Sequence, residues 1–139
     1  MAWPVWLAAL WWGSLTTVGF GVVPLLFATL PTPALAGGMA ARLFEVQTWV
    51  TALLGVGLLM ASRSPRDPAL ARRAQAATAF ILGGVVLALL VQFGVAPRIV
   101  ARENLQLWHG LGTAMMAAQW ACASVVFWRM VRPEPAHHA

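Results

Sequence analysis

Composition and spacing predict an all-α integral membrane protein: a four-transmembrane-helix bundle built from two tandem helical hairpins with pseudo-two-fold symmetry. Three observations carry that expectation. Hydrophobic residues make up 60% of the 139-residue chain and charged residues only 9%. No charged side chain occurs between residues 3 and 41. Finally, Val18-Gly19-Phe20-Gly21-Val22-Val23-Pro24 nearly repeats as Val91-Gln92-Phe93-Gly94-Val95-Ala96-Pro97, identical at five of seven places.

A hydrocarbon core about 30 Å thick is crossed by about 20 apolar residues at a rise of ~1.5 Å each. Four stretches meet that length: residues 3–23, 43–61, 74–96 and 105–128. Lipid offers no partners to backbone N–H and C=O groups, so each stretch is expected to be a helix. Together they consume most of residues 1–139, which leaves one membrane domain and no room for a soluble one. Ala34-Leu35-Ala36 looks like a signal-peptidase site, but no Lys or Arg precedes it and the apolar run is too long. The first helix is therefore expected to be retained.

Each element has its own punctuation. Pro24 and Pro97 close the two repeated segments, and each removes a backbone donor and crowds the preceding turn, so a kink or stop is expected there. Residues 25–30 could continue as an oblique piece before Pro31 and Pro33, residues 32–38 are turn-rich, and residues 62–68 mark the other clear break. Under the repeat, spans one and three are equivalent, as are two and four, and Leu43-Phe44-Glu45 sits opposite Leu107-Trp108-His109. Both hairpins then begin on the same side, related by an axis along the membrane normal.

The formal charge of +5 comes from nine Arg, with no Lys. Arg63, Arg66, Arg72, Arg73, Arg129 and Arg132 lie at one set of span ends, against Arg42, Arg98 and Arg102 at the other. Positive residues favour the cytoplasm, which places both termini and the middle loop there. Topology and anionic lipid contact account for these arginines better than nucleic acid does. Adjacent His137 and His138 in the tail are expected to be solvated and without a role.

Small residues let membrane helices approach closely. Span one offers Gly13, Thr17 and Gly21, and span four offers Gly110, Ala114, Ala118 and Cys122. These ridges join spans within one bundle or serve a neighbouring subunit or second copy; both arrangements fit the spacing. Cys122 is the only cysteine, which excludes disulfides and thiolate metal clusters and suits a packing residue. Trp3, Trp6 and Trp128 suit one interface and Trp49 and Trp108 the other, whereas Trp11, Trp12 and Trp120 lie too deep for that account.

A buried polar cluster is expected in the outer half. Arg102, Gln106, His109 and Thr113 share a face of span four, Glu45 and Arg42 occupy the matching level of span two, and Gln92 and Arg98 belong to span three. Ionisable groups near hydrocarbon tend to face inward and pair. The structural reading is a network around Glu45 and His109 that fixes hairpin docking. The functional alternative is a haem on His109, alone or with Met115 or Met116 as second ligand, or copper on His109 with Met39 or Met116, because imidazole and thioether suit copper. No nucleophile–base pair, phosphate loop or paired carboxylate occurs, so no catalytic residue is assigned.

Trp12-Gly13, Pro24 with Phe27, Leu30-Pro31, Ala36-Gly37, Leu43-Phe44, Pro97 and Trp108-His109-Gly110 recur in an order that resembles a bacterial domain-of-unknown-function family, number 4149. In pattern the chain is also similar to the transmembrane-protein-205 type of small four-helix membrane proteins. The resemblance implies a polytopic inner-membrane protein with no established reaction. The functional expectation is a non-catalytic accessory or interaction subunit of a larger respiratory or photosynthetic membrane complex. Its partners would be lipids and other transmembrane subunits, or a second copy. A haem- or copper-binding protein and a small-molecule transporter are the alternatives.

Overall fold

The computed structural model describes residues 2–132 and is helical throughout its ordered elements. His137 and His138 lie outside the described residues. Four helices are long and apolar enough to cross a membrane: Trp3–Thr29, Pro33–Ala61, Thr78–Val100 and Leu105–Val131. Span one is α1 (Trp3–Thr16), a π-helical turn (Thr17–Val22) and α2 (Val23–Thr29). Span two is α3 (Pro33–Ala61), and a short helix α4 (Pro68–Ala76) follows it. Span three is α5 (Thr78–Leu90), a second π-helical turn (Val91–Val95) and α6 (Ala96–Val100), and span four is α7 (Leu105–Val131).

Neither Pro24 nor Pro97 stops its helix. Proline's ring collides with the carbonyl four residues back. Here the turn before each proline is widened instead, so that the Val23 N–H donates to the Val18 carbonyl and the Ala96 N–H to the Val91 carbonyl. Five-residue spacing moves the offending carbonyl aside, and the helix resumes as α2 or α6. Spans one and three consequently run to Thr29 and Val100 rather than ending near residues 23 and 96. Span two begins ten residues earlier than the hydropathy alone implied (33 against 43). It starts there because Thr32 caps it, its side chain accepting from the Leu35 N–H at 3.3 Å, and Pro33 takes the first position, where a missing N–H costs nothing.

Residues 74–77 also fall differently. They finish α4, whose own cap is Asp67 accepting from the Leu70 N–H at 3.0 Å, and the chain turns at Ala77 before span three. Leu70 and Ala74 are buried while Arg72 and Gln75 face outward, so α4 lies with one apolar side on the bundle. The last turn, between α6 and α7, is the strained one. Arg102 (φ 55°) and Asn104 (φ 31°) are both left-handed, Glu103 donates back to the Arg98 carbonyl, and Asn104 caps α7.

In the bundle, span one touches spans two and four, and span three touches the same two. The spans thus form a ring in chain order, with one facing three and two facing four across the diagonals. The apolar core gathers toward the end that holds α4. There Val5, Ala8, Trp11 and Leu15 meet Leu58, Ala61, Leu70, Ile81, Val126 and Met130. Fewer residues are buried toward the opposite end, among them Ala36, Ala40 and Val95.

Candidate functional site

Polar residues that are buried in this bundle lie at its middle level. They are Gln47, Thr48, Thr51 and Gln119. Thr51 stands ten residues before Ala61 and Gln119 twelve before Val131, about 15 and 18 Å from those helix ends. That depth is near the midplane of a core about 30 Å thick. The Thr51 hydroxyl accepts from the Trp11 indole N–H at 3.2 Å and from the Gln47 amide at 3.4 Å, and donates to the Gln119 Oε1 at 3.4 Å. One hydroxyl thus uses its donor and both acceptor sites. Gln47 also donates to the Ser14 Oγ at 3.0 Å, and Ser14 in turn donates to the Trp11 carbonyl. Spans one, two and four are joined through a single threonine.

A second tie lies beside it. The Trp120 indole donates to the Thr16 Oγ1 at 3.0 Å, and Thr16 donates to the Trp12 carbonyl. No buried side-chain polar atom among the described residues is left without a partner. The network is therefore a clamp that ties the spans to one another.

Gly84 makes room for it. A methyl group there would lie 2.5 Å from Trp11 Cζ2, so only glycine lets the indole reach across the bundle to span three. Gly55 and Gly57 do the same for Val85 and Leu7. Cys122 packs against Gly83 and Gly84, as a packing thiol would.

The outer polar cluster is not an interior one. Arg42, Glu45, Arg98, Arg102, Gln106, His109 and Thr113 are exposed, and Gln92 is half-buried. Thr113 donates to the His109 carbonyl of its own helix, and Arg98 stacks over the Trp108 ring at 4.5 Å. Glu45 and His109 form no hydrogen bond or ion pair among the described residues, and both side chains are exposed. Length accounts for His109: it stands twenty-two residues from Val131, about 33 Å along a helix that outruns a core of about 30 Å. Glu45 stands sixteen residues from Ala61, about 24 Å along its helix, and is exposed on the outer side of span two.

Met116 is half-buried with its Cε against Gly19 of span one, whereas His109 is exposed on the same helix, about 10 Å further along its axis, so the two are not brought together as a ligand pair. Met39 is exposed on span two. Among the described residues no group of three or more His, Cys, Asp or Glu side chains gathers as a metal would require.

The expected packing ridges divide. Cys122 lies inside, but a methyl at Gly13, Gly21 or Gly110 would meet nothing, and Thr17, Ala114 and Ala118 are exposed. The clamp residues Ser14, Gln47 and Thr51 were missed by sequence reasoning. Their signal was present, since Gln47 and Thr51 are one helical turn apart in an otherwise apolar stretch.

The chain matches the model of the family described as Domain of unknown function (DUF4149) over residues 6–106, and it belongs to that family. No curated protein and no solved structure matches it.

Proposed function

We propose that this DUF4149 member is a non-catalytic building block of a larger membrane assembly, an accessory subunit of the kind found in respiratory or photosynthetic complexes. One observation carries the reading. Span four presents Gly110, Ala114, Ala117 and Ala121 along one ridge, with Ala118 beside it, and all five are exposed. Span two presents bulkier residues outward, as lipid contact favours: Leu53 is 74% and Met60 68% exposed. Lipid gives helices no hydrophobic reason to associate, and close approach over small residues is what replaces it. A bare glycine–alanine ridge is therefore suited to another transmembrane helix. Gln106 and His109, exposed near the start of the same span, supply polar contacts to the same partner.

Two further parts of the reading have specific support. The protein sits in a bacterial inner membrane with the 62–73 connector and both termini cytoplasmic, which the arginines at the α4 end favour. The chain is a doubled hairpin. Both repeated segments carry a π-helical turn before their proline. Moreover, the buried residues Pro4, Ala8, Trp11 and Leu15 correspond, 73 positions on, to Ala77, Ile81, Gly84 and Ala88, which are buried too.

The test is co-purification after gentle solubilisation of native membranes, with the Ala114→Leu/Ala117→Leu double variant as control. A larger species that the double variant loses, while its thermal midpoint stays unchanged, is the expected result. An isolated monomer in every lipid tried would sink the proposal.

A further inference from the structure

We propose that the junction of α4 with the start of span one and the end of span four is a binding site for a zwitterionic phospholipid headgroup, phosphoethanolamine in chemistry. A cavity of about 320 Å³ opens there, at the lower end of the range for small-molecule sites. Its apolar side is formed by Val5, Leu70 and Met130, all nearly fully buried. Its polar side carries one cation and one anion, Arg73 and Asp67. These two line the same space without an ion pair between them among the described residues.

Each is held by the backbone instead. Asp67 accepts from the Leu70 N–H at 3.0 Å, which leaves most of its carboxylate's acceptor sites open. Arg73 donates from Nη1 to the Met130 carbonyl at a long 3.4 Å, which leaves four further N–H donors. A guanidinium positioned this way suits a phosphodiester, and a carboxylate a short distance along the same wall suits a primary ammonium. The apolar side then takes the first methylenes of an acyl chain.

The level of the site favours a lipid over a soluble compound. Exposed Trp3, Trp6 and Trp128 surround this end of the bundle, and such rings sit at the headgroup boundary. Arg66, which lines an adjoining hollow, attracts anionic lipid in general, but the space between Arg73 and Asp67 suits a molecule bearing both charges.

Native mass spectrometry of the full chain, delipidated and then supplied with equal amounts of phosphatidylethanolamine, phosphatidylcholine and phosphatidylglycerol, tests this. Retention of phosphatidylethanolamine on the order of tenfold above phosphatidylcholine is expected, since the choline group has no N–H for Asp67. Asp67→Asn keeps the helix cap and should bring that ratio near one with an unchanged thermal midpoint; Asp67→Ser, another good cap, serves if Asn misfolds. Arg73→Gln should lower retention of both lipids. Equal retention in the wild type, or preference for phosphatidylglycerol, would overturn the proposal. Displacement of the lipid by soluble phosphoethanolamine at equal concentration would overturn its lipid source.

Discussion

Trp11 and Gly84 meet across the diagonal of the bundle, and the indole occupies the place where any side chain on residue 84 would stand. The two positions are also 73 residues apart, the same offset that relates Val18 to Val91 in the repeated segments. Under the proposed doubled hairpin, large against small at related positions fills the axis without collision.

Exchanging the pair is the direct test of that relation. Trp11→Gly should cost about 3–5 kcal/mol through the cavity it leaves, and Gly84→Trp alone should overpack the centre. The double exchange should be more stable than either single variant in detergent unfolding, because the indole re-enters from the opposite corner. A double variant as damaged as the sum of the two would show that the sites are not interchangeable.

Thr51 is the hub whose loss should be felt in three spans. Thr51→Val is nearly isosteric but strands the Trp11 indole, the Gln47 amide and the Gln119 carbonyl, a loss of about 1–3 kcal/mol for unpaired buried groups. Thr51→Ser keeps the hydroxyl and should lose less. Equilibrium unfolding of both variants separates the hydrogen bonds from the packing; equal losses would place the hub's importance in its methyl group.

Arg102 offers a stabilising change. Its left-handed backbone (φ 55°) costs an ordinary residue about 1 kcal/mol, and glycine at the end of a helix carries no such cost. Arg102→Gly should therefore raise the thermal midpoint, with a gain of about 0.5–1 kcal/mol. A lower midpoint would mean that the guanidinium holds the turn.

Orientation is checked with single cysteines in a Cys122→Ser background. Pro31 and Pro65 are both exposed, at opposite ends of span two. An impermeant thiol reagent added to intact cells should modify Pro31→Cys and spare Pro65→Cys. The reverse pattern would invert the proposed topology.

The spans were legible because apolar length is a direct consequence of bilayer thickness, and the sequence carries it openly. Their ends were not. Hydropathy places a proline at a boundary, whereas Pro24 and Pro97 are absorbed by a change in helical pitch that no single residue announces. Residues 74–77 are apolar enough for a span yet belong to α4, because Asp67 and Pro68 start a helix that ends at Ala77. The polar groups misled in a related way. Charge drew attention to Glu45 and His109, both of which are exposed on the outside of the bundle. The residues that tie the bundle together are uncharged and short, namely Ser14, Thr51 and the amides of Gln47 and Gln119. Neutral donors and acceptors can be buried at modest cost once mutually satisfied, and ionised ones cannot.

The widened turns at Thr17–Val22 and Val91–Val95 also decide a bearing. Were either wound as ordinary α-helix with every residue kept, everything beyond it would rotate by about 100°. Leu25 and Phe27 past the first turn, and Arg98 past the second, would then look toward different neighbours. The compass heading of the whole outer rim is thus set by two single-residue excesses, each parked directly ahead of a proline.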